Sequence, residues 1–310
     1  MTRIWENLYS KNGLAAKHIA KELLSVEEGE RIPRISDFCE KISLGRGTVQ
    51  GAIKVLEELG AIELESKGHM GTYLKNKDVS VLMEIADIGP LMGAMPLPYS
   101  IKYEGLATGI VEAFEKVNKR VSMTYMRGAS NRLEALKTRR YDFAIVSHLA
   151  ALEGLRYHKG LKIVKRLGEQ SYVTGHKIFF ADKKATKIED GMRVGIDKSS
   201  PDQLKITNLE CEGKKVELIN LNYMQLFQTL KDNKIDAAVW NQDEIRSVET
   251  LSSAGFQSEK ARELTRLTSE AVIVIDEARA EVLEQLDSID ISVITKEQKK
   301  VEEGSRIPLY

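Results

Sequence analysis

The sequence predicts an α/β protein in two parts, an N-terminal winged helix-turn-helix followed by a larger α/β domain with two lobes. Three observations predict this fold class. Residues 29–74 show the order helix, turn, helix and glycine-tipped β-ribbon. From Val79 onward, short apolar runs alternate with amphipathic stretches, which is typical of α/β folds. Within this larger part, residues 131–146 and 224–239 repeat one helix-to-strand pattern, which indicates two related lobes.

The composition is that of an ordinary globular protein without net charge. Of the 310 residues, 42% are hydrophobic and 30% are charged, and 46 Lys and Arg balance 46 Asp and Glu. Residues 1–77 hold 12 basic and 11 acidic side chains, a net charge of only +1. Since no global basic field draws this chain onto nucleic acid, any DNA binding has to come from a local arrangement of side chains.

The sequence has no signature of export, membrane insertion or metal binding. Its N-terminus lacks an apolar signal core, and no run approaches the roughly 20 apolar residues of a membrane span. Cys39 and Cys211 are isolated thiols, without a second Cys or a His at metal-ligand spacing. We therefore expect a cytoplasmic protein with no membrane partner, no cofactor and no metal.

In the N-terminal part, apolar periodicity and capping residues predict three helices and a two-stranded ribbon. The predicted elements are a helix at 14–24, a second that starts at Ser36 or Asp37 and runs through Ile42, a third at 48–59, and strands at 61–65 and 72–74 around a tip at 67–71.

The first turn of the third helix carries the candidate base contacts. A recognition helix reads base edges with its N-terminal residues, which here include Arg46, Thr48 and Gln50. At the ribbon tip, Lys67 and His69 are placed to meet phosphates or enter the minor groove.

Four segments of this part together resemble the DNA-binding domain of GntR-type bacterial regulators. They are residues 29–33, 45–49, 52–60 and 71–73. The resemblance implies a dimer that reads a palindromic operator in double-stranded DNA. It also implies that Arg46, Thr48 and Gln50 face the major groove and that Gly71 is the wing-tip glycine.

The chain departs from the GntR pattern at three places. The arginine that usually follows the proline by three residues is replaced by Ser36, and Arg34 is the arginine we expect to contact DNA instead. Gly51 stands where a longer side chain is usual, and the wing tip has one extra residue.

The C-terminal part alternates predicted strands and helices, which favours mostly parallel sheets that bind ligands beyond the carboxyl ends of their strands. The predicted strands are 121–126, 142–146, 161–164, 193–196, 216–219, 236–240 and 271–275. The predicted helices are 107–117, 131–138, 203–207, 223–230 and 278–286.

The two repeated segments each place an amphipathic helix and a polar turn before Asp-x-Ala on a buried strand. This pair resembles type 2 periplasmic-binding-protein domains, which LysR-type regulators also use as sensors. The resemblance implies a small-molecule effector held in a cleft between two lobes. The expected domains are the winged helix-turn-helix at 1–77, a linker at 78–88, and the two-lobed domain at 89–310, with lobe 1 at about 89–180 and 262–310 and lobe 2 at about 181–261.

The candidate ligand contacts lie at strand ends and at predicted helix starts. Ser130 in one lobe, and Ser199 and Ser200 in the other, lie where helix N–H groups favour an anion, although plain N-capping also explains them. Arg132 or Lys198 would supply a positive charge, although either is also explained as a solvated side chain. The remaining candidates are Ser147, His148, Gln203, Asn241 and, in a loop predicted at 99–105, Glu104.

As a whole the chain resembles YhfZ-like bacterial proteins, in which a GntR-like domain is fused to a binding-protein-like domain. Our leading hypothesis is a ligand-responsive transcription regulator, in which a small anionic metabolite between the lobes alters DNA binding by a homodimer or higher homo-oligomer. Two alternatives stay open, an α/β domain that only oligomerises and an enzyme on the same scaffold. We expect no enzyme, because the sequence has no nucleophile–base pair, HExxH motif or Cys/His cluster.

Overall fold

The chain forms two compact units, Met1–Gly89 and Pro90–Tyr310. The computed structural model describes residues 10–87, 89–222, 225–244 and 251–310. The first two residues of the helix predicted at 223–230 therefore lie outside the described residues. Across the described part of the chain, every helix is too short or too polar to cross a membrane.

The first unit is built from helices and one antiparallel ribbon. Its elements are α1 (Lys11–Leu23), α2 (Ile35–Ile42), α3 (Arg46–Glu58), β1 (Ile62–Ser66), β2 (Thr72–Lys77) and α4 (Val79–Ile85). The apolar positions that predicted the helices meet in one core, where Ile19, Leu23, Phe38, Leu56 and Leu74 are almost completely buried. The predicted winged helix-turn-helix is thereby confirmed.

The wing tip is held by a glycine that no other residue could replace without strain. Gly71 has φ +101°, in the region that favours glycine, and a β-carbon there would collide with the guanidinium of Arg31. Arg31 in turn forms an antiparallel bridge with Tyr73 of β2. The segment before α2 therefore fixes the position of the wing.

Residues 78–88, which we expected to be a linker, contain α4. The Asp78 carboxylate caps this helix by accepting from the backbone N–H of Ser80 at 2.9 Å. Leu82 and Ala86 belong to the core of the first unit, where α4 packs against α1. Most of the segment is thus a folded part of the first unit.

The second unit contains two lobes, each with a five-stranded sheet. The elements of the first lobe are β3 (Leu91–Met95), α5 (Ile101–Glu115), β4 (Val121–Tyr125), α6 (Ala129–Lys137), β5 (Phe143–Ser147), α7 (His148–Tyr157), β6 (Leu161–Arg166), β12 (Ala271–Asp276), α11 (Ala280–Asp287) and α12 (Ile291–Glu302). Those of the second lobe are β7 (His176–Phe180), β8 (Arg193–Ile196), α8 (Pro201–Glu210), β9 (Glu217–Asn220), α9 (Leu226–Lys231), β10 (Ala237–Asn241), β11 (Ser252–Ala254) and α10 (Glu259–Ser269).

The two sheets have the same strand arrangement. Their orders are β4-β3-β5-β12-β6 and β9-β8-β10-β7-β11, with three neighbouring parallel strands followed by antiparallel ones. The sheets are mixed rather than mostly parallel, because β12 and β7 enter each sheet from the other lobe. Residue 176 already belongs to the second sheet, so the chain crosses over before the lobe boundary we expected after residue 180.

The repeated aspartates have the same structural role in both lobes. The Asp142 carboxylate accepts from the backbone N–H of Met92, and the Asp236 carboxylate accepts from the backbone N–H of Arg193, both at 2.7 Å. Each aspartate precedes the central strand of its sheet and ties it to the neighbouring strand. The repeat found in the sequence is therefore a repeat of this strand-to-strand anchor.

A close helix pair closes the outer face of the first lobe. Helix α5 begins at Ile101 with Ser100 as its N-cap, so residues 99–105 are not the loop we expected. Gly105 and Gly109 of α5 face α12, and a β-carbon on Gly105 would lie 2.8 Å from the carbonyl oxygen of Gln298. These glycines let the two helix backbones touch.

Candidate functional site

The structure exposes the predicted base-reading side chains at the start of α3. Helix α3 begins at Arg46, and Arg46 and Gln50 are exposed one turn apart while Thr48 is half-buried. Val49 and Leu56, on the opposite face, are completely buried. The same amphipathic pattern that packs α3 into the core therefore directs Arg46 and Gln50 outward.

The wing residues are exposed as well. Lys67 and His69 lie at the tip, and the Lys67 ammonium is 3.2 Å from the Glu65 carboxylate and 4.6 Å from the Tyr73 ring centre. Lys67 is thus partly neutralised within the wing.

Three arginines of the first unit keep an uncompensated charge. Within the described residues, Arg31, Arg34 and Arg46 form no ion pair, whereas most other basic side chains of this unit do. Arg34 is exposed at the start of α2, where its backbone N–H donates to the Asp37 carboxylate at 2.9 Å. Arg31 was not among the predicted DNA contacts, although it lies two residues before the Pro33 of the GntR-like pattern.

A cavity of about 70 Å³ lies between the two lobes of the second unit. It is found where the carboxyl ends of parallel strands in both lobes face one another, as expected for such sheets. The first lobe and the crossover contribute Pro96, Tyr99, Tyr103, Arg127, Gly128, Ala129, Arg132 and Tyr172, and the second lobe contributes His176, Asp197, Ser199, Ser200, Asp202 and Asn241.

The lobes touch around this cavity. Gly128, with φ +79°, lies so close to the second lobe that a β-carbon on it would be 3.0 Å from the Ser199 side chain. The Ser147 hydroxyl donates to the Asp202 carboxylate at 2.7 Å, and the Arg127 guanidinium is 4.0 Å from the Asp197 carboxylate. The cleft is therefore closed in this structure.

Two arginines give the cavity its charge. Arg132 is buried and held by three hydrogen bonds, to the carbonyl oxygens of Ile145 (3.0 Å) and Met126 (2.6 Å) and to the Tyr172 hydroxyl (2.9 Å). The Nε atom of Arg127 is buried without a hydrogen-bond partner among the described residues. A buried arginine donor without a protein partner is costly unless a ligand or water satisfies it.

Burial favours the neutral forms of two cavity groups, the Asp202 carboxyl and the His176 imidazole. Burial raises the pKa of Asp202 to about 7, against the opposing effects of the Ser147 hydrogen bond and the Arg132 charge. Burial also lowers the pKa of His176 to about 4, so this imidazole is neutral at pH 7. With Asp202 partly protonated, Arg127 and Arg132 outweigh Asp197, and the cavity favours an anion.

Replacing Asp202 with asparagine should change how stability depends on pH. The pKa of Asp202 rises from an ordinary 3.8 to about 7 on folding, so its stabilising protonation is present at low pH and lost as pH rises through 7. Between pH 5 and 8, the free energy of unfolding of the native chain should fall by ~2 to 3 kcal/mol relative to Asp202→Asn. Chemical denaturation at each pH measures this difference, with exposed Asp287→Asn as control. Parallel curves for Asp202→Asn and native chain would contradict the assignment.

Four of the predicted ligand residues line the cavity, namely Arg132, Ser199, Ser200 and Asn241. Ser200 makes no side-chain capping bond at the start of α8, and the Ser199 hydroxyl donates to Asp197 at 2.6 Å. N-capping of α8 by these serines is therefore absent.

Two further predicted residues are buried beside the cavity. The Ser147 hydroxyl accepts from the Ala150 N–H at 3.0 Å and so caps α7 while it donates to Asp202. The Gln203 amide accepts from the Asp197 N–H at 2.8 Å and donates to the Gly195 carbonyl at 2.9 Å. Both position neighbouring groups rather than face the cavity.

The structure places the other three candidates away from the cavity. The His148 imidazole is 2.8 Å from the Glu270 carboxylate. Glu104 lies in the first turn of α5. Ser130 lines a second cavity of about 340 Å³ between α6, α7 and α8, and its N–H approaches the Ser199 carbonyl at 3.5 Å.

The aromatic wall of the cavity was not predicted from the sequence. Tyr103 packs edge-on against Tyr99 at 6.5 Å and against Tyr172 at 5.3 Å between ring centres. Tyr172 lies in the crossover between the lobes, a stretch without helical or strand periodicity, and His176 is the first residue of β7 directly after it. Asp202 did carry a signal, since it lies inside the strand-to-helix segment 197–203 that predicted Ser199 and Ser200.

Comparisons with known proteins agree with this architecture. A family model described as the YhfZ C-terminal domain matches residues 78–310, and a helix-turn-helix domain model matches residues 27–74. The chain is 32% identical over 305 residues to YhfZ of Escherichia coli (strain K12), which covers 97% of this chain and 98% of that protein. The crystal structure of YhfZ from Shigella flexneri has a TM-score of 0.60 and 30% identity, and covers 74% of this chain and 97% of that chain.

More distant structures share the fold alone. An ancestral arginine-binding protein bound to arginine has a TM-score of 0.52 at 16% identity and covers 70% of this chain and 97% of that chain. The periplasmic aliphatic sulphonate binding protein SsuA from Escherichia coli has a TM-score of 0.52 at 13% identity and covers 69% of this chain and 74% of that chain. These likenesses confirm the predicted two-lobed, binding-protein-like fold. Since a family model matches most of the chain and a relative is 32% identical across 97% of it, the chain belongs to the YhfZ family.

Proposed function

We propose that this protein is a transcription regulator whose DNA binding responds to a small anionic ligand held between the two lobes. A helix-turn-helix unit joined to a binding-protein-like domain is the composition of a ligand-binding DNA-binding regulator. The observation that carries the ligand half of the proposal is the convergence of Arg127 and Arg132 on one closed cavity.

Two helix starts reinforce this positive character. The N-cap residues of α6 and α8, Gly128 and Ser200, lie on the cavity wall, and neither helix has a side-chain capping bond. In the second unit, α5, α7, α10 and α12 are capped by a serine or an aspartate, whereas α9 and α11 share the uncapped start of α6 and α8 but do not line the cavity. Uncapped N–H groups and the helix dipole both stabilise an anion, in addition to the arginines.

The DNA half of the proposal assigns base reading to α3 and phosphate contacts to Arg34 and the wing. Arg46 and Gln50 are the exposed side chains at the start of α3, and arginine and glutamine are common base readers. Because the first unit carries little net charge, one copy would bind DNA weakly. We therefore infer that two copies act together as a homodimer on a palindromic operator.

Selection from a random duplex library with the purified full chain tests the DNA half. The expected result is an inverted repeat whose half-sites are about 10 base pairs or a multiple apart, as for other dimeric helix-turn-helix readers. Enrichment of a single half-site would remove the dimer from the proposal, and no enrichment would remove sequence-specific reading.

Thermal melting of the same chain against a panel of small carboxylates, phosphates and sulfonates tests the ligand half. A ligand at about 100 times its Kd should stabilise the folded chain by ~2.7 kcal/mol, and it should also change affinity for the selected duplex. If every panel member leaves both the melting and the DNA affinity unchanged, while sedimentation shows oligomers, the second unit serves only to assemble the protein.

A further inference from the structure

The closed cavity between the lobes also limits the size of its ligand, an inference that rests on the function proposed above. The volume of about 70 Å³ corresponds to about five to seven water-sized groups, since one water needs roughly 10–15 Å³ of such space. Typical small-molecule pockets are several times larger, at roughly 300–1,000 Å³. A nucleotide or a long-chain acid does not fit wholly inside this volume.

Direct contacts between the two lobes limit how far this cavity can expand. At Gly128 the first lobe comes so close to the second that a β-carbon would lie 3.0 Å from the Ser199 side chain, and the neighbouring Ser130 N–H approaches the Ser199 carbonyl oxygen at 3.5 Å. On another side of the cavity, buried Ser147 and Asp202 join the lobes through their 2.7 Å hydrogen bond. A larger ligand would have to break both contacts.

The polar groups inside this space suit one compact anionic group. Arg132 uses three of its five N–H groups on protein acceptors, which fixes the guanidinium in place at the wall. Arg127 brings a buried Nε that no protein acceptor satisfies among the described residues. Planar guanidinium groups match the geometry of carboxylate and phosphate-type oxygens.

We propose that the effector is a compact oxyanion, a single carboxylate, phosphate, phosphonate or sulfonate group with only a few additional non-hydrogen atoms, enclosed by direct contact of the two lobes. Its oxygens accept from Arg127 and Arg132. The Gly128–Ser199 contact excludes ligands with longer tails.

Calorimetric titration of the full chain with inorganic phosphate, acetate, methylphosphonate, propylphosphonate and octylphosphonate tests this proposal. At least one of the short probes should bind, and octylphosphonate should bind at least about tenfold more weakly than methylphosphonate, because its tail prevents closure. Equal or tighter binding of octylphosphonate would overturn the size limit and leave the proposed regulator intact. Failure of every short probe would overturn the compact oxyanion itself.

Two variants separate this proposal from nonspecific ion binding. Arg127→Gln should weaken the best short probe at least about tenfold, whereas Arg140→Gln, an exposed arginine away from the cavity, should not. Gly128→Ala should also weaken it, since the left-handed φ and the Ser199 side chain oppose a β-carbon there. Melting of the ligand-free variants checks that they fold. Native affinity in folded Arg127→Gln would overturn the assigned contact.

Discussion

Changing Arg46 and Gln50 together to alanine should abolish the sequence preference of DNA binding and leave the first unit folded. Both side chains are exposed and, among the described residues, neither forms a side-chain hydrogen bond or ion pair. Loss of such surface groups changes folding stability by only about 0.5 kcal/mol. Each good base contact is worth ~1–3 kcal/mol of discrimination, so the double variant should lose ~2–6 kcal/mol of it.

Fluorescence anisotropy with the selected duplex and a scrambled duplex of equal length measures this preference as a ratio of affinities. Lys54→Ala is the matched control, because Lys54 is an exposed basic residue on the same helix but two turns further along. Loss of a phosphate contact lowers both affinities alike and leaves their ratio unchanged. A double variant that keeps the native ratio would show that another element reads the bases.

Gly109→Ala should destabilise the second unit by ~2–3 kcal/mol. At a solvent-exposed helix position, replacing glycine with alanine stabilises the helix by up to about 1 kcal/mol. The sign of the stability change therefore distinguishes an exposed position from one packed against another helix. Here a β-carbon would overlap the Ile294 carbonyl of α12, closer than carbon and oxygen atoms can approach. The helices would have to separate, and overpacking of this kind costs ~1–3 kcal/mol or more before neighbouring contacts are lost.

Other contacts depend on the close spacing of α5 and α12. The Gln298 amide, which lies beside Gly105, donates to the carbonyl oxygens of Lys102 at 3.1 Å and Ser171 at 2.8 Å. Thermal unfolding should show a fall in Tm of roughly 5 to 10 °C for a unit of this size. Gly255→Ala is the control in the same unit, since no atom approaches the β-carbon position there. A rise in Tm for Gly109→Ala would mean that α5 and α12 do not touch through their backbones.

The elements of the first unit could be predicted well because their signals are local. Glycines and capping residues bound each helix, and the apolar positions of α3 repeat at helical spacing. The helix α4 was classed as a linker because seven residues give little periodicity. Its burial comes from contact with α1, which is distant in the sequence.

The second unit was predicted as an alternating α/β fold, yet β3, β7, β11, α7, α10 and α12 were missed. The helix α7 begins immediately after β5, and Ser147 is both the last strand residue and the N-cap. The sequence therefore shows no turn between them. The strand β7 lies just after the crossover, where only the pairing with β10 and β11 defines it as a strand.

The candidate site could be predicted only to the level of strand ends. Position after a strand correctly selected Arg132, Ser199 and Asn241 as cavity-lining groups. The same criterion also selected Gln203, whose side-chain amide is hydrogen-bonded to the backbone of Asp197 and Gly195 instead. Whether a side chain that follows a strand faces the cavity depends on its hydrogen bonds within the lobe. Tyr172 comes from the crossover, and only the tertiary fold brings it to Arg132.

The place of β12 in the first sheet has a consequence for the order in which a growing chain can fold. This strand lies between β5 and β6, and among the described residues β6 pairs with no other strand of its sheet. A ribosome must therefore synthesise all of the second lobe before the first lobe can complete its sheet. The first unit is finished far earlier, so newly made chains pass through a stage in which the helix-turn-helix is complete and the first lobe is not.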